Sequence, residues 1–125
     1  MAILFVGVLF TILIGVHVVV VALARTAVQS AADAAVDAAQ VAGAGARESE
    51  GVLAARLTLA GARASVVETE LPQVTVAPER GSVTAVVFGG VYTPVLGVLD
   101  LTAVACAPLE DVPIAQITSP DAWEC

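Results

Sequence analysis

Carboxylates stand close together in this chain at Glu68 with Glu70 and at Glu110 with Asp111. Paired acids can divide the roles of general acid and general base where burial drives their pKa values apart. Nothing around either pair signals burial, so solvated turn charges are the expectation. His17 is the single histidine and falls inside an apolar run. An ionisable group in lipid is a functional candidate by default; the competing role is a neutral imidazole bonded to a neighbouring helix. The only cysteines, Cys106 and Cys125, stand far from it, so no metal-ligand cluster is expected. Gly43-Ala44-Gly45 lacks the preceding strand and the third glycine of a dinucleotide loop. No nucleophile elbow, Walker loop, HExxH or CxxC occurs. The expectation is a protein that is not an enzyme and carries no cofactor.

Composition points the same way. Hydrophobic residues make up 58% of 125 and charged residues 14%, against about 45–50% and 25% in an ordinary soluble domain. Much of the excess lies at the amino terminus, leaving a globular part too small for a large enzyme core. The net charge is −7, lysine is absent, and the four arginines after Arg25 are scattered. Nucleic acid is therefore not an expected partner.

Residues 1–24 contain no Asp, Glu, Lys or Arg. As a helix they reach roughly 36 Å at about 1.5 Å per residue, enough to cross a hydrocarbon core of about 30 Å with some tilt. Helix is the form that satisfies every backbone group within the segment. Ala22-Leu23-Ala24 has the A-x-A form of a signal-peptidase site, which leaves cleavage there open. Arg25, read alone, would place the following residues in the cytoplasm; the acids after it and the cysteine usage favour export. The expectation is a single-pass protein of the cell membrane, its carboxyl-terminal part outside the cytoplasm. Gly7, Thr11 and Gly15 recur every four residues, a spacing that lets another helix approach closely. The plainer alternative is that glycine is common in membrane helices.

Residues 25–46 are rich in alanine, the strongest helix former. No Pro or Gly separates Ala24 from Gln40, so one rod of about 60 Å is expected to run on from the span. Val28, Ala32, Ala35, Ala39 and Ala42 fall near one face; Gln29, Ser30, Asp33, Asp37 and Gln40 fall mostly on the other. An alanine stripe, Ala27, Ala31 and Ala35 among it, suits close packing against copies of itself or against this chain's own second helix. Gly43-Ala44-Gly45 is a breaker. A second helix is expected over residues 48–67, with Val52, Leu53, Leu57, Leu59 and Ala60 as its apolar members and Arg47, Glu50, Arg56 and Arg63 towards water.

After Leu71-Pro72 the pattern becomes strand-like. Residues 74–76, 82–92 and 98–107 are rich in Val and Thr and separated by Gly and Pro turns. A small antiparallel sheet of three or four strands, covered by a helix on one face, is expected. The tail of residues 108–125 reads as irregular, with Trp123 folding back on the domain. The even cysteine count suggests a Cys106–Cys125 disulfide, worth roughly 3 kcal/mol by loop closure; two separate thiols are the alternative. The fold class is thus α+β in three parts: a transmembrane helix over 1–24, an alanine-rich helical region over 25–70, and a β-rich extracytoplasmic head over 71–125.

The order of parts resembles a known family. An apolar span flows into Ala27-Val28-Gln29-Ser30-Ala31-Ala32-Asp33-Ala34-Ala35 and then Ala42-Gly43-Ala44. This is similar to the membrane helix and Q-x-A-A-D-A-A segment of the TadE-like family, the minor pilins or pseudopilins of tight-adherence (Flp-type) pili. Residues 83–110 resemble the strand-rich half of its actinobacterial members. The resemblance implies a pilin-like architecture and a part in building or priming a pilus. The implied partners are the major pilin and other pilin subunits, in a homo- or hetero-oligomer formed through the amino-terminal helix, and the membrane assembly platform; membrane lipid is the partner expected from the apolar span itself. Where family members carry a basic leader and a glutamate five residues into the mature helix, this sequence has Phe5 and no acid before Asp33. Either the true start lies upstream or the chain is not processed that way, and no processing residue is carried over. The alternative to a pilus component is a membrane-anchored extracytoplasmic binding module unrelated to pili.

Overall fold

The computed structural model describes residues 2–62 and 66–109. Two helices, α1 (Ala2–Val41) and α2 (Arg47–Gly61), precede four strands, β1 (Val67–Glu68), β2 (Gln73–Ala77), β3 (Ser82–Thr93) and β4 (Gly97–Pro108). The class is α+β, with a long apolar amino-terminal helix, a second helix and a small antiparallel sheet.

α1 runs without a break for 40 residues, because no Gly or Pro interrupts the chain between Gly15 and Val41. It ends where Gly43-Ala44-Gly45 takes over, and Ala46 N–H donating to Gly43 C=O (2.8 Å) closes the turn into α2. α2 is shorter than the expected 48–67. It stops at Gly61, and Ala62 N–H bonds to Leu59 C=O as the cap. Val67 and Glu68 leave the helix to pair with Gly90 and Gly89. A two-residue strand has no periodicity by which a sequence could announce it.

β3 is the centre of the sheet. β4 pairs antiparallel along its whole length, from Ser82↔Pro108 to Thr93↔Gly97. A strand has two edges, so β2 (on residues 82–86) and β1 (on residues 89–90) share the other, end to end. The turns use glycine where left-handed backbone is needed, at Gly81 (φ 61°) and Gly97 (φ 73°).

Both helices lie on one face of this sheet. Strand side chains alternate, and Val83, Ala85, Val87, Val91 and Thr93 of β3 are buried while Tyr92 is exposed. Ala24, Val28, Ala31, Ala32, Ala35, Val36 and Ala39 supply the covering stripe of α1. No fully buried side chain among the described residues is larger than valine. The layers therefore hold by close backbone approach, and glycines mark the tightest points. A Cβ on Gly89 would sit 2.7 Å from Val28 Cγ2, and one on Gly51 would sit 2.9 Å from the Ala35 carbonyl oxygen.

That closeness shifts the expected face of α2: Leu59 is buried as expected and Glu50 and Arg56 are exposed, but other positions differ. Its buried residues are Arg47, Gly51, Ala55 and Leu59, four apart, while Leu53 and Leu57 are exposed. Arg47, expected in water, is buried. At Gly51 the backbone of α1 passes too near for any side chain, while Leu59, at the end of the same face, is buried. Arg63, Trp123 and the rest of residues 110–125 fall outside the described residues.

Candidate functional site

The feature most in need of a partner is the amino-terminal half of α1. Large apolar side chains from Ile3 to Val19 are exposed, Ile3 at 90% and Phe5 at 70%, and none of the window that could cross a membrane is buried within the chain. A helix that is apolar all round is either buried in protein or surrounded by lipid. This one is long and apolar enough to span a membrane.

The residues expected to pack helices divide into two groups. Ala31 and Ala35 are fully buried and Ala27 half-buried within the chain, against α2 and the sheet. Of the two roles the alanine stripe could take, packing inside the chain is the one observed. Gly7 and Gly15 are different: a Cβ at either would meet nothing within 4 Å. Thr11 Oγ1 donates to the Gly7 carbonyl (2.9 Å), so its hydroxyl is satisfied within the helix. Gly7 and Thr11 lie in a shallow groove with Ile3, Leu4, Val8 and Ile12.

The remaining chemistry-bearing residues do not converge. Glu68 pairs with Arg56 (3.5 Å) at the surface, linking β1 to α2; such an exposed pair contributes at most about 1 kcal/mol. Glu70 is exposed, and Glu110 and Asp111 lie outside the described residues. Cys106 is half-buried on β4, while Cys125 lies outside the described residues, as does the pairing expected between them. No group of three or more His, Cys, Asp or Glu side chains among the described residues could hold a metal ion.

His17 acquires a neighbourhood that its sequence position does not reveal. With Phe10, Leu13, Ile14 and Val18 it faces Val95 and Leu96 of the β3–β4 turn across a groove of about 220 Å³. Its Nδ1 is buried with no hydrogen-bond partner among the described residues. The turn is held from inside. Buried Thr93 donates through Oγ1 to the Gly97 carbonyl (2.8 Å) and accepts from Leu96 N–H (3.2 Å). Thr93→Val keeps the shape and removes both bonds, so it should lower stability by about 1–2 kcal/mol. Denaturant unfolding checks the size, and faster amide exchange at Leu96 checks the place.

Another surface groove, of about 580 Å³, runs between α2 and β1, lined by Leu53, Leu57, Val66 and Val67 among others.

No family model, no curated protein and no solved structure matches this chain.

Proposed function

We propose that this protein is a structural or assembly subunit of a tight-adherence pilus, a minor pilin or pseudopilin anchored in the cell membrane by the first half of α1. The observation that carries the reading is one uninterrupted helix with two environments. Its exposed apolar half needs lipid or other helices, and its second half is the spine of a small α+β head. The alanine stripe is used up inside the chain, so contacts with other subunits fall to the amino-terminal half, where Gly7, Thr11 and Gly15 leave room for a neighbouring helix. In this reading the head lies outside the cytoplasm, and Cys106 pairs with Cys125 to hold the carboxyl terminus against the last strand. The resemblance around residues 27–35 supports the assignment to tight-adherence pili.

The test is intact mass of the protein from sheared surface filaments and, separately, from membranes. The expected result is a filament species that begins near Met1 and is lighter by the hydrogens lost in one disulfide. A species found in membranes alone would remove the protein from the filament and leave an assembly role. A species beginning at Arg25 would overturn the anchor.

The α2–β1 groove favours a second reading, a membrane-anchored binding module, because Leu53, Leu57 and Val67 are left exposed beside it. Under that reading a chain without the span remains a folded monomer that binds its ligand, and surface filaments lack the protein.

A further inference from the structure

The β3–β4 hairpin carries its own exposed apolar end. Tyr92, Val95, Leu96 and Val98 are 72%, 65%, 65% and 58% exposed, and residues 90–99 include no charge. This end does not project into open solvent away from α1. Val95 and Leu96 lie against Phe10, Leu13, Ile14, His17 and Val18. Those helix positions precede Arg25 by 7 to 15 residues, or roughly 10–22 Å along the axis.

The register of sheet on helix gives a second, independent measure. Gly89 abuts Val28, three residues past Arg25. Asp100, the first charge on the returning strand, stands opposite Gly90. The uncharged stretch of the helix and the uncharged stretch of the hairpin therefore end at about the same height. Lipid that covers Ile14, Val16, Val18, Val19 and Leu23 also reaches Val95 and Leu96 beside them. The backbone at the tip is prepared for a dry setting, because the buried Thr93 hydroxyl satisfies Leu96 N–H and the Gly97 carbonyl internally.

We propose that the tip of the β3–β4 hairpin is a second membrane anchor, entering the headgroups and upper acyl chains of the leaflet next to the head. The partner is lipid. Val95 and Leu96 supply the apolar insertion, and Tyr92 sits where an aromatic ring with a polar end is favoured. The outer edges of a two-stranded ribbon still require hydrogen-bonding partners, which sets the depth at the interface rather than the bilayer midplane. This inference rests on the reading of α1 as a membrane span.

The test uses the full chain, with its cysteines intact, in vesicles of phosphatidylcholine and phosphatidylglycerol. The photoreactive benzoylphenylalanine is placed singly at Leu96, at Leu9 on the helix, or at Arg80 in the turn at the far end of β3. The expected result after irradiation is a mass gain of one phospholipid at positions 96 and 9 and none at 80. A phospholipid adduct at 9 with a protein dimer or no adduct at 96 overturns the hairpin anchor and leaves the span standing. Lipid adducts at 80 as abundant as at 96 also overturn it, because the tip would have no privileged contact. Absence of lipid adducts at both 9 and 96 overturns the span and the hairpin anchor together.

Discussion

A chain carrying Leu9→Arg and Ile12→Arg should lose membrane integration while keeping its head folded. Both positions are more than half exposed on α1 and lie within the charge-free run. Each exchange of a large aliphatic for arginine near the middle of a span costs about 3–4 kcal/mol on insertion scales, so the pair costs about 6–8. That exceeds the roughly 5.5 kcal/mol that moves a two-state population from nearly all to nearly none. The measurement is the fraction that stays with membranes after alkaline carbonate extraction. The core stripe of α1 begins at Ala24, so circular dichroism of the released variant should still report the sheet. A variant that stays carbonate-resistant would count against the span.

The second large effect is one of sign. Alanine is a better helix residue than glycine by about 1 kcal/mol, which by itself predicts that Gly51→Ala and Gly61→Ala both stabilise α2. The surroundings separate them. At Gly61 a Cβ meets nothing within 4 Å, so a gain of up to about 1 kcal/mol is expected, less if the helix end frays. At Gly51 the new Cβ would lie 2.9 Å from the Ala35 carbonyl oxygen and 3.0 Å from Val74 Cγ2. The carbonyl belongs to the backbone of α1 and cannot swing aside, so the two helices must separate. Overpacking of this kind costs about 1–3 kcal/mol, and Gly51→Ala is expected to destabilise in spite of its propensity. Guanidinium unfolding of both variants in detergent, followed by circular dichroism, reads the two signs. A gain at Gly51 would show that the α1–α2 contact is looser than described.

This second case also shows where reading the chain as a sequence succeeds and where it stops. The long helix was legible because its causes are local: no charge before Arg25, no breaker between Gly15 and Gly43, and alanine as the commonest residue between them. β2, β3 and β4 were legible to within a residue or so, because Val and Thr runs end at Pro and Gly. The buried face of α2 was legible only in part. Apolarity points to Leu53, Leu57 and Leu59, yet only Leu59 of these is on the packed face, with Gly51 and Ala55, and the distance to α1 decides between them. β1 escaped notice because its partner stands some twenty residues away on β3. The groove around His17 escaped for the same reason, since it joins residues 10–18 to residues 95 and 96. Local chemistry thus disclosed the elements and the alanine stripe, while the meeting of the hairpin tip with the helix depends on how the whole sheet is laid against α1.

The double life of α1 has a mechanical consequence. Many anchored domains hang from a flexible stalk, so a pull on the domain first straightens the stalk. Here the segment that leaves the apolar run is already the spine of the core, with no joint between Leu23 and Ala24. A load applied along α1 passes at once into sliding contact between the helix and β3 and β4, where many residues resist together instead of peeling one by one. Gly51 and Gly89 mark where α1 lies closest to its neighbours, so these are the contacts that such sliding disturbs first.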